Sequence, residues 1–178
     1  MISRRSSTRA VGYKIFYRLP IGVRRRLVRM AVPKYIVGAV TLVYDAEAAA
    51  PGRILLLRQP PGRKWTLPAG LLQRRETPLV GAARELHEET GIKLPLTELE
   101  PAVPNAVVHL KGWVDMVFEA RVPASTTELV VDGAEVFEAV WHPLDDLPPL
   151  STATARLLAH YRIGPLAETD PAGAPPPS

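Results

Sequence analysis

The chain has 178 residues, 47% hydrophobic and 22% charged, the proportions of one globular domain; wholesale disorder, a collagen-like repeat and a coiled-coil rod are excluded. It contains no cysteine, which removes disulfide scaffolds, thiolate zinc sites, iron–sulfur clusters and cysteine nucleophiles. The net charge of +4 is unevenly divided: residues 1–34 hold ten Lys or Arg and no acid, which leaves the remainder at −6.

Met1 to Arg9 is polar and rich in Arg and Ser, similar to the start of an organelle transit peptide, and lacks the apolar core of a secretory signal. The expected location is cytoplasmic, with organelle import left open. Pro20 can open a helix but not sit inside one, so Ile21 to Val32 is predicted helical. Val23, Leu27, Met30 and Ala31 share one face of it, and Arg24, Arg25, Arg26 and Arg29 occupy the others. Two uses compete for this basic arm. One is an anionic partner, either RNA or a membrane surface; the other is a docking helix with a solvated basic side. The arm lacks the aromatic interleaving that stacking on nucleic acid needs.

Tyr35 to Tyr44 is β-branched and apolar and ends at Asp45, so it reads as a buried strand; its longest apolar run is half of the ~20 residues a membrane-spanning helix needs. Arg53 to Leu57 completes a hairpin. The Gln59-Pro60-Pro61-Gly62-Arg63-Lys64 turn carries two cations, and Trp65 to Leu67 is extended until Pro68 and Gly70 stop it. Ala106 to Leu110, Trp113 to Arg121 and Val136 to Trp141 are predicted strands, and Leu150 to Tyr161 a closing helix with Ser151 or Thr152 near its start. The prolines near the C-terminus predict a disordered tail over 167–178, after a domain over 35–166.

The clearest helix follows Thr77, a good N-cap, with Pro78 at its first position and Gly91 at its end. Glu85, Glu88 and Glu89 stand at i, i+3 and i+4, which places three carboxylates on one face, while Leu79, Ala82, Ala83 and Leu86 face the other way. Three like charges so close invite a cation. Hard divalent ions take oxygen ligands and complete their shell with water and phosphates. Arg84, four residues before Glu88, can pair with a carboxylate and hold it. For three glutamates alone, a solvated acidic helix face is the better reading.

The wider pattern decides between them. Gly70, then five residues, Glu76, then seven residues, and Arg84-Glu85-Leu86-His87-Glu88-Glu89-Thr90-Gly91-Ile92 resembles the signature of the Nudix hydrolase superfamily without a mismatch. A chance match in a chain this long has odds of roughly one in ten million. Trp65 to Ala69 is similar to the family's lead-in, with Ala69 where a second glycine is usual, and the resemblance spans roughly Tyr35 to Tyr161.

The resemblance implies an α/β/α sandwich with a mixed β-sheet, and hydrolysis of a nucleoside diphosphate linked to another group, cut at the pyrophosphate by water with Mg²⁺ or Mn²⁺. By position it assigns the metal to Glu85, Glu88, Glu89 and Gly70, or the carbonyl just before Gly70. Arg84 resembles the residue that orients the acids, and Glu76 the supporting acid. Glu85 or Glu88 could act as general base. In this family a glutamate from a later loop often takes that role, which points to Glu135 ahead of Glu138. Arg63, Lys64 and Trp65 are candidate substrate contacts. Candidate substrates are nucleotide sugars such as ADP-ribose, nucleoside triphosphates, dinucleoside polyphosphates and RNA 5′ ends. A non-catalytic nucleotide-binding sensor is the other class, yet such a module is expected to lose signature acids, and all are present. The oligomeric state stays open, a homodimer included.

Overall fold

An unbroken run of apolar and β-branched residues builds the central strand β1, Ile36–Asp45, buried from Gly38 to Val43. The computed structural model describes residues 13–14, 16–109 and 112–168. The transit-like segment and nearly all of the predicted proline-rich tail lie outside them.

β6, Trp113–Val122, runs parallel to β1 and pairs with it from Ile36–Trp113 to Asp45–Val122. A strand has two edges, and β6 takes the whole of one. The other is divided. β2, Arg53–Arg58, pairs antiparallel at Tyr44–Ile54, and β4, Ala69–Leu71, pairs antiparallel with Gly38 to Val40. β2 also carries β3, Trp65–Thr66, and β7, Glu138–Pro143, while β5, Glu100–His109, lies outside β6. The result is a seven-stranded mixed sheet.

Alternation along β1 sorts its side chains to two faces. Ala39 and Val43 meet Ala82 and Leu86 of helix α2, Pro78–Thr90. Val40 and Leu42 meet Ala155, Leu157 and Leu158 of helix α3, Thr152–Ala159. A helix on each face of a mixed sheet is the expected α/β/α sandwich.

Several boundaries differ from those read in the sequence. β4 occupies a stretch where Pro68 and Gly70 predict a break; Pro68 instead lends its carbonyl to the Thr41 N–H at 2.9 Å. β5 begins at Glu100 rather than Ala106. It is an edge strand whose register shifts between Pro101 and Ala106, so its prolines cost few ladder bonds. β7 starts two residues late, because Asp132 gathers the backbone up to Val136 into a turn. α3 starts at Thr152, where the Ser151 hydroxyl accepts the Thr154 N–H at 3.1 Å.

Residues 1–34 and 35–178 form two compact units. In the first, helix α1 spans Ile21–Ala31 and buries none of its residues. Among the described residues no helix is long and apolar enough to cross a membrane.

Candidate active site

α2 is bounded by backbone chemistry. Pro78 occupies its first turn and Thr77 the cap position, although the Thr77 hydroxyl makes no capping bond, a departure from its predicted role. Gly91 ends the helix at φ +77°, and a Cβ there would lie 2.9 Å from Val130 Cβ. Conformation and neighbour both demand glycine.

The spacing predicts three outward-facing acids, and the structure corrects this. Glu88 is exposed, Glu85 is largely covered, and Glu89 is only 8% exposed. At the end of α2, Glu89 turns toward the sheet. Its Oε2 accepts the Ala69 N–H at 2.8 Å and its Oε1 accepts Gln59 Nε2 at 2.7 Å. Burial pushes its pKa up to about 7, with the charges of Glu85 and Glu135 adding to the rise and the two hydrogen bonds opposing it.

Arg84 gathers the other acids. Its Nε and Nη2 donate to the two oxygens of Glu76 at 2.9 and 3.0 Å, a fork matched to one carboxylate. Nη1 donates to Glu85 Oε1 and Glu88 Oε2, both at 2.8 Å, and Nη2 also reaches the Leu71 carbonyl at 3.1 Å. The hydrogen bonds to Glu76, then those to Glu85 and Glu88, hold the guanidinium firmly protonated, while Arg84 and the Gln73 N–H hold Glu76 below its usual range. One cation thus serves three carboxylates, and Glu89 adds a fourth acid beside them.

Gly70 is the floor under Glu85. A Cβ built there would stand 2.0 Å from the Glu85 carboxyl carbon, so only glycine lets the carboxylate lie against the β4 backbone. The donors here are all oxygen, and negative charge exceeds positive. That set suits a hard divalent cation. Arg84 occupies one oxygen each of Glu85 and Glu88; among the described residues the second accepts no hydrogen bond. No three of these side chains are already gathered as a closed cage among the described residues. They turn instead to Arg84, Gln59 and the Ala69 amide.

Glu135 is exposed, and its charge adds a small part to the raised pKa of Glu89. Glu138 is paired with Arg58 at 2.5 Å. Arg63 and Lys64 are exposed on the turn after β2. Trp65 sets its ring edge-on to His142, with centroids 4.5 Å apart, and packs against the core.

Beside Glu89 lies a cavity of about 200 Å³ whose walls include Val40, Gln59, Thr66, Ala69, Asp115 and Thr154. Gln59 and Ala69 therefore touch both the cavity and the buried acid. Asp115 accepts Trp113 Nε1 at 2.7 Å and faces His109 Nε2 at 2.8 Å. Neither Gln59 nor Asp115 carries a spacing signal in the sequence; each is brought here by strand register. A larger cavity of about 590 Å³, lined by Tyr44, Arg53, Arg121 and Arg162 among others, contains none of the signature residues.

The model of the NUDIX domain matches residues 34–161. The chain belongs to the NUDIX domain family. A MutT-like protein of Streptomyces ambofaciens is 40% identical over 70 residues, 39% of this chain and 44% of that one. The crystal structure of a MutT NUDIX hydrolase from Burkholderia pseudomallei superposes at a TM-score of 0.54 with 29% identity, covering 68% of this chain and 93% of the other. The NUDIX domain of Shewanella oneidensis NrtR, solved in complex with ADP ribose, gives a TM-score of 0.58 at 20% identity over 75% of this chain and 90% of that one, and shares its fold. The chain spans about half the length or less of the curated relatives it matches.

Proposed function

We propose that this chain hydrolyses the pyrophosphate bond of a nucleoside diphosphate linked to another group, with Mg²⁺ or Mn²⁺. The carrying observation is the joint placement of the acids: Arg84 clamps Glu76, Glu85 and Glu88, and Glu89 is buried where Gln59 and Ala69 also wall a cavity. Glu85, Glu88, Glu89 and the carbonyl before Gly70 would hold the divalent ion, which when bound would neutralise phosphate oxygens and lower the pKa of an attacking water toward neutrality.

The remaining work belongs to the chain. Arg84 fixes the carboxylates so that little reorganisation accompanies the reaction. Glu135 takes the proton of the attacking water on its carboxylate, as an exposed acid within electrostatic reach of Glu89 can. The cavity beside Glu89 receives the nucleoside end, and Asp115, oriented by Trp113 and His109, offers it a hydrogen-bond acceptor.

A panel of ADP-ribose, nucleoside triphosphates, dinucleoside polyphosphates and 5′-triphosphorylated RNA, with products identified by chromatography, tests this reading. Turnover with Mg²⁺, its loss in excess EDTA, and ¹⁸O from water in a phosphate product are expected. Full turnover in EDTA, or label confined to a sugar or base, overturns it. Nucleotide binding without turnover of any substrate favours the sensor reading.

A further inference from the structure

The basic arm presents two kinds of surface at once. At 100° per residue, Met30, Val23, Leu27 and Ala31 cover one side of α1, continuing through Val28 and Ile21, and Arg25, Arg26 and Arg29 fill the opposite arc. Every large apolar side chain of the helix is exposed, Met30 to 78%. Arg24 falls among the apolar residues by angle, but its guanidinium lies over the ring of Tyr17, 5.5 Å from the centroid. Tyr17 and Tyr13, just before α1, are themselves 65% exposed. No acid in residues 1–34 neutralises the arginines. The family match begins at residue 34, so the family's domain does not include this segment.

We infer that α1 and the tyrosines before it dock on an anionic lipid surface, the apolar arc entering the headgroup boundary and the arginines meeting lipid phosphates. A nucleic acid backbone would use the cations and leave six exposed apolar side chains in water. A neutral apolar groove would use the apolar arc and leave the arginines unanswered. Only an anionic interface satisfies both, and amphipathic helices with basic polar faces bind there by apolar burial together with charge. Tyrosine, with an apolar body and a polar tip, suits the same depth. This inference is independent of the substrate.

The test is co-sedimentation of the full chain with vesicles of phosphatidylcholine, with or without phosphatidylglycerol. Binding is expected only to the anionic vesicles, and weakens as salt rises. Arg25→Gln/Arg26→Gln/Arg29→Gln is expected to weaken it on the order of a hundredfold, since each charge contributes about fivefold. Leu27→Glu/Met30→Glu is expected to abolish it. Circular dichroism confirms that both variants remain folded, and hydrolysis of a soluble nucleotide is expected to be unchanged in both. Equal binding to neutral vesicles overturns the inference, as does vesicle binding that survives Leu27→Glu/Met30→Glu. So does tight RNA binding indifferent to that double variant in place of vesicle binding, or self-association that the double variant abolishes.

Discussion

Glu89 shows how one carboxylate can be both structural and chemical. Its two oxygens tie α2 to β4 and to Gln59, so it costs the fold no unsatisfied hydrogen bond, yet burial and nearby acids make it reluctant to ionise without a cation. Glu88 differs, because it is exposed and held through Arg84. Conservative substitution separates these roles. Glu88→Gln is expected to melt like the parent in chelator, since an exposed ion pair contributes little, while its rate falls at least ~100-fold. Glu85→Gln and Glu89→Gln are expected to lose rate similarly, with different shares lost from Mg²⁺ affinity. Near-parental rates for all three across a Mg²⁺ titration would remove the metal-site assignment. Gly70→Ala provides an independent check. The nearest atoms to the new methyl are the carboxyl end of the flexible Glu85 side chain, so the fold yields cheaply, but the carboxylate must leave its seat. The expected result is a near-parental melt with a rate reduced at least ~10-fold; a parental rate would show that the position of Glu85 does not matter.

At the scale of elements, α2 was largely legible. Capping preference, a proline at the first turn, a glycine at the end and 3.6-residue periodicity all act locally, and all fall inside a short stretch of sequence. The partners of the acids were not. Gln59 reaches Glu89 because β2 ends there, and Ala69 presents its N–H because β4 takes the edge of β1 that β2 leaves free. Neither fact is encoded within a few residues of its consequence. The inward turn of Glu89 is hidden for the same reason, since a helical wheel assigns polar residues to solvent and cannot see a waiting amide. The segment before β7 is another such case. Asp132 Oδ1 accepts the N–H groups of Ala134, Glu135 and Val136 at 3.0 to 3.1 Å, and Val136 is buried beneath the turn. The turn thereby fixes the backbone that carries Glu135. Asp132→Ala is expected to lower kcat about tenfold or more with little change in melting temperature or KM, and Asp132→Asn, which keeps the acceptor, to restore most of it. Should Asp132→Ala be parental while Glu135→Gln is impaired, the base assignment survives and the positioning role does not. A parental Glu135→Gln removes the base assignment itself.

Across the whole 35–178 unit, two covered carboxylates pull stability in opposite directions with pH. Asp45, at the end of β1, accepts the N–H groups of Glu47 and Ala124 at 3.0 Å and the Arg53 Nε at 2.9 Å, and so ties β1 to the start of β2 and to the chain leaving β6. The Glu47 N–H, then that of Ala124 and the Arg53 side chain, hold its carboxyl below the usual 3.8. A depressed folded-state pKa contributes stability that is complete above the unfolded value and disappears as pH falls through the folded one. Glu89 is the reverse case, raised from 4.5 to about 7. Below pH 4.5 it is protonated in both states and costs nothing. Between 4.5 and 7 the unfolded chain ionises while the folded chain keeps its proton, so stability is lost as pH rises, to a total on the order of 3 kcal/mol. In chelator, Glu89→Gln is therefore expected to out-melt the parent by a margin that opens from pH 4.5, is complete above about 7 and stays constant beyond. Asp45→Asn is expected to melt below the parent at neutral pH, with the gap closing toward strongly acid pH as the parent's own carboxylate is neutralised. Thermal melts of the three proteins from pH 3 to 9 read both slopes. Curves for Glu89→Gln and the parent that run parallel from pH 4.5 to 7 would show that burial of Glu89 does not raise its pKa, and an Asp45→Asn gap that persists unchanged into acid would show that Asp45 acts through shape and not through charge.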